Sequence, residues 1–277
     1  MQEAQPLTEN ILAATIQQRA ADSYKGTYGR VTLIGGNRNF GGAIIMASEA
    51  AVYSGAGLVT TITDASNQDA LHARLPEAMF ADITDFDQSR ELIKGSDVVV
   101  VGPGLGTDDD AAAVLADVFN VIQPNQILII DGSAITLVAE RHLPLPKTHL
   151  IMTPHQMEWQ RLSGIAIDKQ TVDWNLAIID QLDATIVLKS HRTQVYTSNG
   201  VYENTIGTPA QATGGMGDTL AGMVGGFTAQ FKDTDQAVLA AVYSHSAIAE
   251  ELAKTQYVVL PHQIVAQLPQ FMKAHEG

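Results

Sequence analysis

The segment Thr213-Gly214-Gly215-Met216-Gly217-Asp218 holds the residues of this 277-residue chain that are best suited to chemistry. Glycine lets a backbone turn tightly and approach a ligand closely. A helical pattern follows, and the first N–H groups of a helix have no partner within it. Together with the helix dipole, those N–H groups bind anions. The segment therefore predicts an anion hole for the charge of a phosphoryl group, formed by Gly214, Gly215, Met216 and Gly217.

Asp218 ends this segment, and two roles are open to it. A carboxylate at the start of a helix caps free N–H groups and is stabilised by the dipole. It can also be a base that accepts the proton of a hydroxyl nucleophile. The spacing alone favours the cap and leaves the base open. Two common nucleotide-binding patterns are excluded, because no Gly-Lys-Ser/Thr follows the glycines and no GxGxxG turn follows the first strand.

Composition limits the class of protein. Sixteen basic residues face thirty acidic ones, a formal net charge of −14, and such a field repels nucleic acid. The absence of cysteine excludes disulfides and cysteine-based metal sites. The polar start, Met1 to Asn10, does not resemble a signal peptide, and no apolar run is long enough to span a membrane. We expect a cytoplasmic protein that binds neither nucleic acid nor membrane.

Short apolar runs alternate with helical patterns, which predicts an α/β fold with a parallel sheet and helices on both faces. The Ser198-Asn199-Gly200 turn between Thr193–Thr197 and Val201–Asn204 predicts a hairpin. The predicted strands are Arg30–Ile34, Leu58–Thr63, Val98–Val101, Ile127–Ile130, Leu150–Met152 and Thr185–Leu188. The predicted helices are Ile11–Tyr24, Ala43–Ser54, Asp109–Ile122, Asp218–Phe231 and Thr234–Lys254, of which the last two close the chain.

Ligands of such sheets bind beyond the carboxyl ends of the strands. Two glycine-rich turns follow predicted strands, Gly35–Gly42 and Gly102–Gly106. Asp131, His155 and Lys189 also follow strands. We therefore expect all of these to meet at one edge of the sheet.

Five segments in the same order resemble one family. Ala212–Gly222 is similar to the anion-hole and base motif of ribokinase-like enzymes. The other four are Gly35–Ala43, Val101–Gly106, Thr153–Glu158 and Val187–Thr193. Together they resemble the ADP/ATP-dependent NAD(P)H-hydrate dehydratases, over nearly the whole chain from about Lys25. The resemblance implies a single ribokinase-like domain over residues 1–277, a three-layer α/β/α sandwich with a mostly parallel central sheet and no epimerase domain.

The resemblance also implies an activity, the repair of hydrated NADH and NADPH (NADHX and NADPHX) with ADP or ATP as co-substrate and Mg²⁺. Hydroxide is a poor leaving group, whereas phosphate is a good one. In this mechanism Asp218 accepts the proton of the hydrate hydroxyl, and the oxygen attacks the terminal phosphoryl group. The amides of the anion hole hold the transition-state charge. Phosphate then leaves, pushed out by the lone pair of the ring nitrogen.

Site residues carry over from the family one by one. Binding of the hydrate is implied for Ala43, Gly106, His155 and Asp218, and binding of the nucleotide for Lys189, Ser190, His191, Arg192, Thr193 and Gly217. Glu158 is a candidate for a water-mediated contact to Mg²⁺, and Asp131 is a second.

Each of these residues has an alternative. Ala43 can simply allow close packing, Gly106 can simply shape a turn, and His155 can cap a helix. Glu158 can be an ordinary first-turn carboxylate, which we narrowly favour. Asp108-Asp109-Asp110 resembles a metal cluster, but it is better explained as a solvated helix cap.

The sequence departs from the family pattern at several positions. Asp131-Gly132-Ser133 stands where relatives carry Asp-Ala-Asp, and Met157 and Ser190 stand where they carry glycine. Ala210-Gln211 replaces a Gly-Met pair.

Two other functions compete with the dehydratase, a kinase of a small hydroxymethyl substrate and a non-catalytic nucleotide sensor. The family further implies a homo-oligomer, such as a tetramer, and a functional partner on a separate chain, the NAD(P)HX epimerase.

Overall fold

The computed structural model describes residues 3–277, in which ten strands and eleven α-helices form the fold, together with four short 3₁₀ helices. The strands are β1 (Gln5–Leu7), β2 (Arg30–Ile34), β3 (Leu58–Thr63), β4 (Met79–Asp82), β5 (Val98–Val101), β6 (Ile127–Ile130), β7 (His149–Met152), β8 (Ala184–Leu188), β9 (Gln194–Thr197) and β10 (Gly200–Asn204). The helices are α1 (Asn10–Thr15), α2 (Gly41–Tyr53), α3 (Gln68–Arg74), α4 (Phe86–Lys94), α5 (Asp109–Val121), α6 (Gly132–Arg141), α7 (Gln156–Ser163), α8 (Val172–Leu182), α9 (Met216–Gln230), α10 (Thr234–Ala253) and α11 (Pro261–Ala274).

All ten strands belong to one sheet, in the order β1-β10-β9-β8-β7-β6-β5-β2-β3-β4. Every neighbouring pair is parallel except those that involve β9, which runs antiparallel to β8 and to β10. Helices α1–α3 and α9–α11 cover one face of the sheet, and α4–α8 cover the other. The predicted three-layer α/β/α sandwich with a mostly parallel sheet is confirmed.

The central strands are apolar because they are buried on both faces. In β5 the side chains of Val98 and Val100 enter the core on one face, and those of Val99 and Val101 enter the core on the other. The first core also contains Phe227 of α9, and the second contains Trp159 of α7.

The two ends of the chain differ from the prediction. The first helix ends at Thr15 rather than Tyr24, and Ile16 is already extended. Its carbonyl accepts a hydrogen bond from Gly277 at 2.9 Å instead of continuing a helix. A third helix, α11, follows the two that were predicted to close the chain. Within residues 3–277 no helix combines the length and the apolar character needed to cross a bilayer.

Helices α2 and α9 pack without a gap, and their first turns lie at the same edge of the sheet. A Cβ atom at Gly222 of α9 would collide with the carbonyl oxygen of Ala47 in α2. Glycine at this position therefore sets the spacing between the two helices.

We expect Gly222→Ala to lower the free energy of unfolding by about 1–3 kcal/mol, because overpacking pushes the helices apart. Gly42→Ala is the matched control, since a Cβ there would meet nothing within 4 Å. It should leave stability unchanged or slightly raised. Urea unfolding of both variants measures the difference, and equal stability of the two would contradict the packing argument.

Candidate active site

The residues predicted to gather at one edge of the sheet lie at the ends of five adjacent strands. In sheet order these strands are β8, β7, β6, β5 and β2. Lys189 directly follows β8, and Asp131 directly follows β6. The two glycine-rich turns follow β5 and β2. The carboxyl edge is therefore the place where these groups can act together.

A buried ion pair lies at the centre of this edge. The Nζ of Lys189 is 2.8 Å from Oδ1 of Asp131, and both side chains are largely buried, 18% and 3% exposed respectively. The same Oδ1 accepts a hydrogen bond of 2.6 Å from the hydroxyl of Thr153. Asp131 is held by two donors and in turn fixes the lysine ammonium group.

His155 and Glu158 cap the start of α7 reciprocally. Nδ1 of His155 accepts hydrogen bonds from the backbone N–H groups of Met157 and Glu158, both at 3.1 Å. Oε2 of Glu158 accepts one from the N–H of His155 at 2.8 Å. His155 therefore caps a helix, and Glu158 is a carboxylate in the first turn of that helix, as the alternatives to ligand binding predicted.

This arrangement also sets the tautomer of His155. Because Nδ1 accepts two hydrogen bonds, the proton of the neutral ring is on Nε2, 3.3 Å from Oε1 of Glu158. Burial and the positive charges of Lys189 and Arg161 lower the pKa of His155. The ring is neutral near physiological pH, and its side chain remains about half exposed.

The start of α9 differs from the sequence-based preference for Asp218. The N-cap of the helix is Gly215, with φ of 92°, and Asp218 is the third residue of the helix. The prediction that Asp218 is the N-cap is wrong, because the glycine turn enters the helix three residues earlier. The carboxylate is thereby not needed as the N-cap and is available for another role.

The predicted anion hole is open to a ligand. Gly214 is exposed, and Gly215, Met216 and Gly217 are half-buried. A Cβ at Gly214 would meet no atom within 4 Å, whereas one at Gly217 would lie 3.0 Å from Nζ of Lys189. The backbone of the first turn of α9 is therefore next to the lysine ammonium group on one side and to free space on the other.

The electrostatics of Asp218 suit a base. Burial and the negative charge of Asp131 raise its pKa to about 6, and the positive charge of Lys189 limits the rise. A carboxylate with such a pKa is ionised near neutral pH and is a better proton acceptor than an exposed aspartate.

Two further groups at this edge have shifted pKa values. Burial raises the pKa of Glu158 to about 7, against the opposing effect of Lys189. Burial lowers the pKa of Lys189, but the charges of Asp131 and Glu158 outweigh it and raise the pKa overall. The lysine therefore stays charged, and burial makes the carboxylates of Glu158 and Asp218 more basic.

The two glycine-rich turns are joined by backbone hydrogen bonds. The N–H of Gly36 donates to the carbonyl of Pro103 at 2.8 Å, and the N–H of Asn37 donates to that of Gly104 at 2.7 Å. Gly102 has φ of 126°, and a Cβ there would collide with the carbonyl oxygen of Asp131. Only glycine allows this close approach to the buried ion pair.

The predicted hydrate-binding residues Ala43 and Gly106 lie on these turns. Ala43 is in the first turn of α2, and its Cβ would lie 3.0 Å from a Cβ placed on Gly104. Gly106 packs against the side-chain amide of Asn37, which would lie 2.7 Å from a Cβ at that glycine. Close packing and turn formation are thus real constraints on both residues, and their contact with substrate stays a prediction.

The predicted nucleotide loop, Lys189 to Thr193, forms a tight turn between β8 and β9. The hydroxyl of Ser190 donates to the carbonyl of Arg192 at 2.7 Å, and that of Thr193 donates to the carbonyl of Ser190 at 3.2 Å. Ser190, His191 and Arg192 are exposed, and Arg192 donates to the carbonyl of Thr205. The loop is ordered by its own bonds and presents its polar groups to solvent.

Within residues 3–277 no group of three or more His, Asp or Glu side chains is arranged to hold a metal ion. The acidic triplet is a helix cap, as predicted, since Asp108 accepts the N–H of Ala111 at 2.9 Å. Asp131 uses only Oδ1 in the hydrogen bonds described above, whereas Glu158 uses Oε2 for the N–H of His155 and has Oε1 3.3 Å from Nε2 of the same residue. This donor set fits Mg²⁺ only with water and phosphate as further ligands, which is its usual mode of binding.

Two large cavities lie elsewhere and are not lined by Asp218. One of about 1100 Å³ is lined by residues 14–20 and the start of the loop after α9, and one of about 1620 Å³ is lined by residues of β7 and β8 near their amino ends. Both lie away from the carboxyl edge. We assign the site to that edge, because its charged groups, open glycine backbone and raised pKa values occur together there.

The pairing of residues at this edge, and the presence of His245 there, could not be predicted from the sequence. Thr153 and Asp131 are 22 residues apart, and Asp131 and Lys189 are 58 apart. His245 of α10 is buried, with its Nδ1 at 3.4 Å from Nε2 of Gln211. Burial and the charge of Lys189 lower its pKa to about 4. Pairing across such separations leaves no local pattern in a single sequence.

Comparison with known proteins identifies similar chains. The profile of the NAD(P)H-hydrate dehydratase family matches residues 31–270. A relative from Lactiplantibacillus plantarum is 59% identical over 268 residues, which cover 97% of this chain and 96% of the relative. Its name is ADP-dependent (S)-NAD(P)H-hydrate dehydratase.

Two solved structures have the same fold. A ribokinase-like superfamily protein from Enterococcus faecalis superposes with a TM-score of 0.97 at 49% identity, covering 100% of this chain and 98% of that chain. The ADP/ATP-dependent NAD(P)H-hydrate dehydratase of Bacillus subtilis, co-crystallised with ATP and Mg²⁺, superposes with a TM-score of 0.89 at 29% identity, with both chains covered completely.

Proposed function

The chain belongs to the NAD(P)H-hydrate dehydratase family, and on that basis we propose that it returns the S epimers of NADHX and NADPHX to NADH and NADPH. ADP is the co-substrate, as the name of the Lactiplantibacillus plantarum relative suggests, and ATP is the alternative donor. In the proposed reaction ADP is converted to AMP and phosphate. The observation that carries the proposal is Asp218, a carboxylate with a raised pKa in the first turn of a helix whose glycine backbone is open. The dehydratase names of the relatives favour this function over the kinase alternative.

The reaction begins with proton transfer to Asp218. The hydroxyl oxygen of the hydrate attacks the terminal phosphorus of ADP, a P–O bond forms, and AMP leaves. The backbone amides of Gly214 to Gly217 bind the charge that develops on the phosphoryl oxygens. The C–O bond of the phosphorylated hydrate then breaks as the ring nitrogen donates its lone pair. Phosphate leaves with the oxygen, and loss of a proton from the adjacent ring carbon restores the double bond.

Lys189 adds a fixed positive charge at the point of phosphoryl transfer. Its Nζ lies beside the backbone of Gly217 and is held there by Asp131. A charge whose position is fixed before the reaction needs no reorganisation during it. Asp131 is therefore a positioning residue in this proposal.

The other predicted contacts follow from the same arrangement. Ala43, Gly106 and the side chain of His155 contact the hydrate, and the Lys189–Thr193 loop binds the nucleotide. Glu158, through water, and the nucleotide phosphates would hold Mg²⁺, and the ion would neutralise part of the phosphate charge. We further propose that the protein is cytoplasmic and forms a homotetramer. A separate NAD(P)HX epimerase supplies the S epimer.

The function is tested by incubating the protein with NADHX, Mg²⁺ and either ADP or ATP. Recovery of reduced-nicotinamide absorbance with release of phosphate supports the dehydratase. A stable phosphorylated alcohol would support the kinase instead, and nucleotide binding without turnover would support the sensor.

The rate should depend on the ionisation of Asp218. We expect kcat/KM to rise with pH through about 6, because only the deprotonated carboxylate accepts the proton. Asp131→Asn should move this rise to lower pH, since the charge of Asp131 raises the pKa of Asp218. Rates measured from acidic to mildly alkaline pH test both statements, and a flat profile would contradict the base role.

A further inference from the structure

Phe40 is an aromatic residue that is largely exposed to solvent. Its side chain is 60% exposed, whereas Phe227 in the core is fully buried. Within residues 3–277 its ring takes part in no aromatic pair and no cation–π contact. A single exposed aromatic residue needs no explanation by itself, so its position decides whether it matters.

The backbone of Phe40 is firmly held although the ring is free. Its N–H donates to Oδ1 of Asn37 at 3.0 Å, and its carbonyl accepts from the N–H of Ala43 at 3.2 Å. The same carbonyl occupies the space that a Cβ at Gly104 would need. The ring therefore projects from a rigid junction between the two glycine-rich turns.

This junction lies next to the residues predicted to bind the hydrate. A Cβ placed on Gly104 would be 3.1 Å from Cβ of Phe40 and 3.0 Å from Cβ of Ala43, so the two side chains flank the same glycine. Gly106 follows two residues later in the same turn. The ring of Phe40 stands at the rim of the proposed substrate site.

From this placement we infer that Phe40 is a stacking platform for a flat ring of the hydrated dinucleotide and thereby contributes to its affinity. The inference rests on the proposed function, because that function supplies a substrate with two ring systems. An aromatic side chain on a rigid backbone stacks on such a ring at little cost in conformational entropy. Phe40 lies on the glycine turns and not on the Lys189–Thr193 loop, so ADP binding should not depend on it.

The test compares Phe40→Ala, Phe40→Leu and Phe40→Tyr in steady-state kinetics with NADHX and with ADP. We expect Phe40→Ala to raise KM for NADHX by about tenfold or more, as loss of one stacked ring does. KM for ADP and kcat should not change, because stacking acts equally on the ground state and the transition state. Phe40→Tyr should have the KM for NADHX of the wild type. Phe40→Leu should have a KM for NADHX only slightly below that of Phe40→Ala.

Tyr24→Ala is the matched control, because Tyr24 is 73% exposed and lies before β2, at the opposite edge of the sheet. It should leave every constant unchanged. An unchanged KM for NADHX in Phe40→Ala would overturn the inference, and so would full recovery by leucine or an effect on KM for ADP.

A second measurement separates this inference from the proposed function. The dissociation constant of NADPH, followed by its fluorescence, should rise in Phe40→Ala and not in Tyr24→Ala. Failure of the function shows as no turnover of NADHX by the wild-type protein, whatever the variants do. Equal NADPH affinity of wild type and Phe40→Ala would overturn the role of Phe40 even if turnover is normal.

Discussion

We expect Asp218→Asn to lower kcat by about 10³-fold, because general-base catalysis contributes about 10²–10⁴-fold and an amide cannot accept the proton. KM for ADP should change little, since the amides of Gly214 to Gly217 remain in place. The measurement is the single-turnover rate of NADHX conversion at saturating ADP.

The same substitution should not weaken the fold. The pKa of Asp218 is raised on folding to about 6, so folding favours its protonated form. The ionised carboxylate therefore destabilises the native state above this pH, and a neutral asparagine removes that cost. We expect a Tm equal to or above that of wild type.

Asp87→Asn provides the control for Asp218→Asn. Asp87 is also a first-turn helix aspartate, but its side chain is 97% exposed and it pairs with Arg90 at 3.3 Å. Its substitution should leave kcat unchanged. Near-wild-type activity of a folded Asp218→Asn variant would show that the carboxylate is not the base.

Lys189→Met should affect both stability and catalysis. It leaves Asp131 charged and buried without its partner, which costs about 3–5 kcal/mol in comparable buried pairs. It also removes a fixed positive charge beside the anion hole, and loss of one such group lowers kcat by about 10²–10³-fold. Urea unfolding and steady-state rates measure the two effects separately.

The double variant Asp131→Asn with Lys189→Met distinguishes the two roles of the lysine. Removing both charges eliminates the uncompensated carboxylate, so most of the lost stability should return. Activity should not return, because the positive charge at Gly217 is still absent. Recovery of activity along with stability would mean that Lys189 acts only in folding.

The strands were largely predictable from the sequence because each is a short apolar run bounded by turn residues. Arg30–Ile34, Val98–Val101 and Ile127–Ile130 have the predicted limits. Helix α11 was missed because Pro269 lies within it, and proline normally interrupts a helix. The first helix ends early because the carbonyl of Ile16 bonds to Gly277, a contact between distant parts of the chain.

The site was predictable only in part, because it too depends on contacts between distant parts of the chain. The residues that follow strands could be assigned to one edge, since parallel strands place their carboxyl ends together. The state of Asp218 depends on Asp131 and Lys189, which are 87 and 29 positions away along the chain. The pairing of these two residues at 2.8 Å is fixed by the sheet order, and no local pattern encodes it.

The claim on which the account depends is that the hydroxyl oxygen of the hydrate becomes an oxygen of the released phosphate. The direct measurement uses the S epimer of NADHX with ¹⁸O in that hydroxyl, incubated with ADP in ordinary water. We predict that the released phosphate carries the label, one atom for each NADH formed. Label in the water and unlabelled phosphate would mean that the hydroxyl leaves without being phosphorylated, which would contradict the roles assigned to Asp218 and the anion hole.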